Sequence, residues 1–217
     1  LGALGDGGEA AVRAARADVE EARGQLAERF GAGREAWGAR TVIDVARAEL
    51  PANTVATVDS GAHRILLSQM WTCYEPRTLL QSTGLCTMGC ALPLAIGYKR
   101  LAPDRPVAAF MGDACLEMVL GELATLRDSK LPVILFVFVD ESLALIELKQ
   151  RNSGHPNVGV DFAGTDFAAV ADSIGGRGVN ARSREDLAAA IRAALREPSR
   201  FTLIACHIGQ RAYDGLF

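Results

Sequence analysis

The sequence predicts an α/β fold, a doubly wound and mostly parallel sheet flanked by helices. Three observations carry that prediction. Short apolar runs alternate with helix-like segments from residue 39 onward, the order expected of successive βα units. The run Pro132–Val139 (PVILFVFV) is wholly apolar, as a parallel strand covered on both faces requires. Two such runs also end abruptly at a carboxylate, Val107–Met111 just before Gly112-Asp113 and Pro132–Val139 at Asp140.

Residues 1–38 stand apart from that pattern and are assigned to a helical linker or interdomain segment, with residues 39–217 as the domain proper. After a Gly-rich stretch read as flexible (Gly2–Gly8), Glu9–Arg29 is rich in Ala, Arg and Glu, a helix-forming composition. Its apolar residues Val12, Val19 and Leu26 fall seven apart and give only a thin stripe, suited to covering a surface or joining domains. Gly31-Ala32-Gly33 then breaks the pattern. Thr41–Glu49 reads as a helix and Thr54–Val58 as a short strand ending at Asp59, with Leu79–Gln81 as another. Gly89–Leu101 is a buried helix, Val107–Met111 a strand, and Leu116–Asp128 a single helix. Phe167–Ile174 and Arg184–Leu195 are helices on either side of a short Arg177–Val179 strand, and Phe201–Ala205 is the last strand.

Composition excludes several classes of function. Of 217 residues, 49% are hydrophobic and 23% charged, ordinary for a chain that buries a core. The net charge of −3 offers no basic field, so neither nucleic acid nor an anionic membrane surface is an expected partner. An anionic ligand must therefore be held locally, by backbone N–H groups or a metal ion. No apolar run has the length of a membrane span and no signal peptide is visible. The five cysteines (Cys73, Cys86, Cys90, Cys115, Cys206) are odd in number and lack paired Cys-x-x-Cys spacing, which points to free thiols in a reducing cytoplasm. The chain begins at Leu1, the mark expected of a processed or truncated polypeptide.

In open α/β sheets, ligands sit outside the carboxyl ends of the strands. Asp113 and Asp140 occupy such places, and the helix between them returns the chain so that both emerge on one edge of the sheet. Two carboxylates beside helix N-termini suit a Mg²⁺ that bridges protein to a diphosphate. Either aspartate alone would more often be a plain helix N-cap. The pair is more specific, yet chemistry by itself leaves the ligand's identity open.

These residues resemble a known family. Met111-Gly112-Asp113-Ala114 through Val139-Asp140 is similar to the thiamine-diphosphate (ThDP) motif, Gly-Asp-Gly followed some 26 residues later by Asn-Asn. Asp140 lies 27 positions after Asp113 and matches the second Asn, a Mg²⁺ ligand of the family. The resemblance implies Asp113, Asp140 and the Ser142 carbonyl as metal ligands, with Leu143 beside them. Ala114 replaces the third Gly, and Val139-Asp140 replaces Asn-Asn, which keeps an oxygen ligand and adds a negative charge. A second block, Ser82-Thr83-Gly84-Leu85-Cys86-Thr87-Met88-Gly89-Cys90-Ala91-Leu92-Pro93-Leu94-Ala95-Ile96-Gly97, is similar to the acetolactate synthase segment that grips the aminopyrimidine. By position, the Cys86 carbonyl accepts from the 4′-amino group, Thr87 follows, and Met88 is the wedge that bends the cofactor. Cys86 stands where the family has Gly, so its side chain must point away from the cofactor. A third block, Asp59-Ser60-Gly61-Ala62-His63, resembles the family's Gly-Gln-His turn and implies Gly61, Ala62 and His63 as diphosphate contacts. Gly112 and Cys115 join them. Cys115 matches a family Ser, and because a thiol is a poor donor its backbone N–H is expected to serve instead.

The resemblance spans roughly residues 40–210 and implies the ThDP-binding fold, with ThDP and Mg²⁺ as cofactors. It implies an acetolactate-synthase-like enzyme that decarboxylates a 2-oxo acid and can ligate the intermediate to a second carbonyl. A simple 2-oxo-acid decarboxylase or C–C lyase is the alternative reaction. A catalytically inactive cofactor-binding or assembly module is the alternative of another class, and a nucleotide-binding Rossmann domain is disfavoured by the lack of a Gly-x-Gly-x-x-Gly turn after the first strand. No catalytic residue is expected in this chain, since the family's activating Glu belongs to a separate pyrimidine-binding domain, on the same or another polypeptide, in a homodimer or tetramer. Ser142–Gln150 aligns with the family's active-site helix. There Lys149 stands where acetolactate synthases carry Trp, and Glu147 is one place beyond the catalytic Glu of pyruvate-type decarboxylases; Glu147 is expected to be a solvated helix residue paired with a neighbour. His155 is expected in a plain loop.

Overall fold

The computed structural model describes residues 6–31, 33 and 36–217. Six strands form one sheet in the order β2-β1-β3-β4-β6-β5, every neighbouring pair parallel. The strands are β1 (Val55–Val58), β2 (Leu79–Gln81), β3 (Val107–Gly112), β4 (Ile134–Val139), β5 (Arg177–Ala181) and β6 (Thr202–His207). The helices are α1 (Asp6–Phe30), α2 (Ala39–Glu49), α3 (Ala62–Met70), α4 (Ala91–Leu101), α5 (Asp113–Glu117), α6 (Glu122–Asp128), α7 (Ala144–Asn152), α8 (Phe167–Ile174) and α9 (Arg184–Arg196). The doubly wound α/β class read from the sequence is the class observed.

Period-two alternation divides the core into two layers. Phe110, Phe136, Phe138 and Ile204 face α2, α3 and α9, whereas Ala109, Met111, Leu135, Val137 and Leu203 face α4, α6 and α8. The register Phe110↔Phe136 stacks those two rings, with centroids 4.6 Å apart. Such burial, at about 25 cal/mol per Å² of apolar surface, is the main force joining helices to sheet. Helix ends follow their local chemistry. Asp166 and Ser183 accept from the N–H groups of Ala169 (3.0 Å) and Asp186 (3.1 Å) at the starts of α8 and α9. Gly175 closes α8 in the left-handed conformation at φ 96°.

Three expectations need correction. The segment Leu116–Asp128 is not one helix. α5 begins earlier, at Asp113, and residues 118–121 form a tight turn before α6. Val119, Glu122, Leu123 and Ala124 each donate three residues back rather than four, and Gly121, a poor helix former, sits among them. Next, residues 61–63 are the start of α3, a helix the hydrophobic pattern did not reveal. Finally, α1 begins at Asp6, inside the stretch read as flexible; residues 1–5 of that stretch, and Ala32 of the Gly31-Ala32-Gly33 break, lie outside the described residues. α1 exposes most of its surface, and its last residue, Phe30, packs against the core. Among the described residues no helix is long and apolar enough to cross a membrane.

Candidate functional site

The chain leaves β1 toward β2 on one side and reaches β3 on the other, which makes the β1/β3 boundary the switch point of the sheet. A crevice opens there, outside the carboxyl ends of the strands, where ligands of such sheets bind. It holds a cleft of about 230 Å³ lined by the ends of β1, β3 and β4, the start of α7 and the turn before α4. Every cofactor residue expected from the sequence lines this cleft except Thr87, which is exposed.

The two aspartates meet as the strand ends predict. Asp113 is not a side-chain N-cap of α5, a place taken by Gly112. Its Oδ1 accepts from the Ala114 N–H at 2.8 Å, and its Oδ2 accepts from the N–H groups of Asp140 (3.0 Å) and Glu141 (2.7 Å). The carboxylate thus ties the end of β3 to the end of β4. Glu141 itself takes a left-handed φ of 56°. Asp140 accepts from the Ser142 N–H through Oδ1 at 3.2 Å. Both groups are buried, at 3% and 6% exposure. Burial raises the Asp113 carboxyl above its usual range; burial and then the negative charge of Asp113 push Asp140 up to about 8. Two carboxylates in this condition suit a divalent cation. Among the described residues no three His, Cys, Asp or Glu side chains cluster as a metal-holding group. Asp113, Asp140 and Ser142 all line the cleft. Ser142 is held by an antiparallel bridge to Asp161, and the Leu143 N–H donates to the Val160 carbonyl at 2.7 Å, so a strap from the later loop fixes this segment.

His63 lies in the first turn of α3, 3% exposed, its ring stacked on Phe138 with centroids 5.3 Å apart. Burial, and then the Arg64 charge, push its pKa down to about 3, so the imidazole is neutral. The ring is packed more deeply than a turn residue would be. Its Nε2 has no partner, and neither does the buried Oγ of Ser142. Two orphaned polar atoms on residues lining one cleft fit a ligand that brings polar groups of its own. Gly61 precedes α3 at φ 147°, and a Cβ there would come within 2.9 Å of the His63 ring, which explains the glycine.

Cys86 adopts a left-handed φ of 50°, the reason the resembling segment carries Gly. Its Sγ accepts from the Arg64 guanidinium at 3.2 Å. Met88 is half-buried against the core layer that contains Val119. The Cys115 thiol is committed to the Ser60 carbonyl at 3.2 Å and is pushed up by burial, so it is a closed, inert group.

The helix after the Asp140–Leu143 segment corrects another expectation. Glu147 is buried at 7% exposure rather than solvated, though the expected pairing holds: Arg151 grips both its oxygens, at 2.6 and 3.0 Å. Glu147 does not line the cleft, whereas the neighbouring Ile146 does. Lys149 and His155 are exposed. Sequence reasoning missed Tyr213. The segment after β6 folds back, held by Arg151–Asp214 and Arg211–Glu147 pairs, and delivers Tyr213 to the cleft wall at 3% exposure. Burial raises its phenol, with the Asp140 and Asp113 charges adding to the effect. No periodicity or motif in that short tail signals it.

Comparison with known proteins agrees with this geometry. Residues 59–206 match the sequence profile described as "Thiamine pyrophosphate enzyme, C-terminal TPP binding domain". The chain is 32% identical over 143 residues to a putative thiamine pyrophosphate-containing protein, YdaP, of Bacillus subtilis, covering 66% of this chain and 25% of that protein. It is 32% identical over 140 residues to an acetolactate synthase of the same organism, covering 64% and 25%. Against the large subunit of acetolactate synthase isozyme 1 of Escherichia coli it is 37% identical over 109 residues, covering 50% and 19%. The matched region therefore spans a quarter or less of each of these relatives.

Proposed function

Given that the chain belongs to the thiamine pyrophosphate enzymes through their C-terminal TPP-binding domain, we propose that it holds the diphosphate of ThDP through Mg²⁺ in an acetolactate-synthase-like enzyme acting on 2-oxo acids. The observation that carries this reading is the buried Asp113–Asp140 pair at the switch point, flanked by the unpartnered His63 Nε2 and Ser142 Oγ. In the proposed assignment Asp113, Asp140 and the Ser142 carbonyl hold the cation. Gly112, Ala114 and the Cys115 backbone, together with Gly61, Ala62 and His63, cradle the diphosphate, with Leu143 beside it. The Cys86 carbonyl and Met88 receive the ring end. ThDP, when bound, supplies the electron sink for losing CO₂ from a 2-oxo acid.

The chain's own contribution is to bind, orient and exclude water. The neutral His63 lines the cleft without adding a charge, its other ring nitrogen already held by the Asp59 backbone, and the apolar layer behind it keeps the site dry. The activating Glu belongs, in this proposal, to a pyrimidine-binding domain that completes the site in a cytoplasmic homodimer or tetramer. The test is titration of the assembled protein with ThDP in the presence and absence of Mg²⁺, followed by product analysis with pyruvate. Mg²⁺-dependent binding and acetolactate are expected; acetaldehyde would indicate the simple decarboxylase. Binding without turnover would indicate an assembly module, and no binding of ThDP would end the proposal.

A further inference from the structure

Asp59, which the proposal leaves without a role, is wholly buried at the end of β1. Its N–H continues the sheet ladder to the Phe110 carbonyl at 2.9 Å. Its carboxylate leaves the sheet and collects backbone N–H groups from two places. Oδ1 accepts from Ser60 and from Gly89, both at 2.8 Å, and Oδ2 accepts from Ala91 at 3.2 Å. The Cys90 thiol lies 3.9 Å from Oδ1. Burial raises the Asp59 carboxyl, and these amides pull it back down.

The segment it grips does not hold itself. α4 has Cys90 at its N-cap position and no side-chain cap, so the exposed N–H groups of its first turn need an acceptor from elsewhere. The turn leading in uses two left-handed residues, Cys86 at φ 50° and Gly89 at φ 82°. Thr57, also on β1, adds a second anchor by donating from Oγ1 to the Ala91 carbonyl at 2.8 Å. The next residue of the same loop, Ser60, accepts the Cys115 thiol through its carbonyl. Residues 59–60 therefore join the turn at 86–91 and the start of α5 to the end of β1.

Resting on the cofactor reading above, we infer that Asp59 is a positioning residue: its carboxylate fixes the Cys86–Met88 turn against the end of β1 and so sets the ring-binding end of the cleft, separately from the diphosphate end. The two ends have different anchors. The metal loop is held by Asp113 and by the Ser142–Asp161 bridge, neither of which involves Asp59. Loss of the Asp59 carboxylate should loosen the ring end, which it grips directly, more than the diphosphate end, which it reaches only through Ser60.

The experiment uses the assembled protein carrying Asp59→Asn, which keeps the size of the side chain but sets an NH₂ where a backbone N–H must be accepted. Affinity is measured for ThDP and, separately, for inorganic diphosphate, both with Mg²⁺, together with amide hydrogen exchange across residues 86–92. ThDP affinity should fall about tenfold or more, the effect of losing one hydrogen bond to a charged acceptor. Inorganic diphosphate affinity should fall clearly less, since Asp113 and the Ser142–Asp161 bridge are untouched. Exchange should rise at Gly89 and Ala91. Thr57→Val, which removes only the weaker anchor, should shift the same ratio in the same direction by about threefold; it keeps the test alive if Asp59→Asn does not fold. Equal losses for both ligands, or an unmoved ratio in a wild-type protein that binds ThDP, would overturn the inference alone. A wild-type protein that binds no ThDP would overturn the cofactor reading and this inference with it.

Discussion

His63 makes the protein's stability sensitive to acid in a way that can be worked out and isolated. The ring is buried, stacked on Phe138, and its pKa is about 3 against an ordinary 6.5. Below pH 6.5 the unfolded chain binds a proton that the folded chain refuses, so stability falls with pH; above 6.5 neither state binds it and the contribution is flat. At pH 4.5, two units below the unfolded value, the loss is about 2.7 kcal/mol at 1.36 kcal/mol per unit. A folded pKa one unit higher would change that figure by only about 0.1 kcal/mol. Other groups titrate in this range, so the measurement is a difference. His63→Leu removes the titrating ring and its unpartnered Nε2 at nearly constant volume. Urea unfolding of both proteins at pH 7, 5.5 and 4.5 should show the wild type losing about 2–3 kcal/mol relative to the variant by pH 4.5. Parallel pH profiles for the two proteins would refute the burial argument.

The carboxylate pair gives a sharper functional test. Asp113→Ala should abolish Mg²⁺-dependent ThDP binding in a titration, and retained affinity would sink its assignment as a ligand. Asp140→Asn should keep ThDP affinity within about tenfold, since an amide oxygen still coordinates. It should also raise the stability of the metal-free protein at pH 7, where folding must bind a proton to Asp140, whose pKa is pushed up to about 8; a complete loss of binding would mean that the second carboxylate is required. Cys86→Gly should stabilise the fold by about 1 kcal/mol by relieving the left-handed strain. Destabilisation in urea unfolding instead would show that the Arg64–Sγ contact outweighs the strain.

Much of the fold was legible because its signals are local. Short apolar runs marked β3 and β4, and the helix-like segments Phe167–Ile174 and Arg184–Leu195 marked α8 and α9, whose starts the structure shows capped by Asp166 and Ser183. α3 was illegible for the complementary reason: its N-cap is Gly61, with no side-chain cap, and its start resembles a turn. The split between α5 and α6 was hidden because residues 116–128 have helix-like composition throughout, and only the backbone hydrogen bonds reveal the tight turn.

The site divides in the same way. By itself the sequence determined which carboxylates end neighbouring strands, since strand and helix lengths alone bring Asp113 and Asp140 to one edge. It also determined the motif order that assigns the family. Only the tertiary structure decided that Asp59 reaches across to Gly89 and Ala91, that Tyr213 returns to the cleft wall, and that Thr87 is exposed. It also decided that Glu147 spends its charge on Arg151 inside the protein. Those outcomes depend on contacts between segments separated by whole crossovers. Local periodicity carries no record of which remote backbone group will need a partner once the layers close.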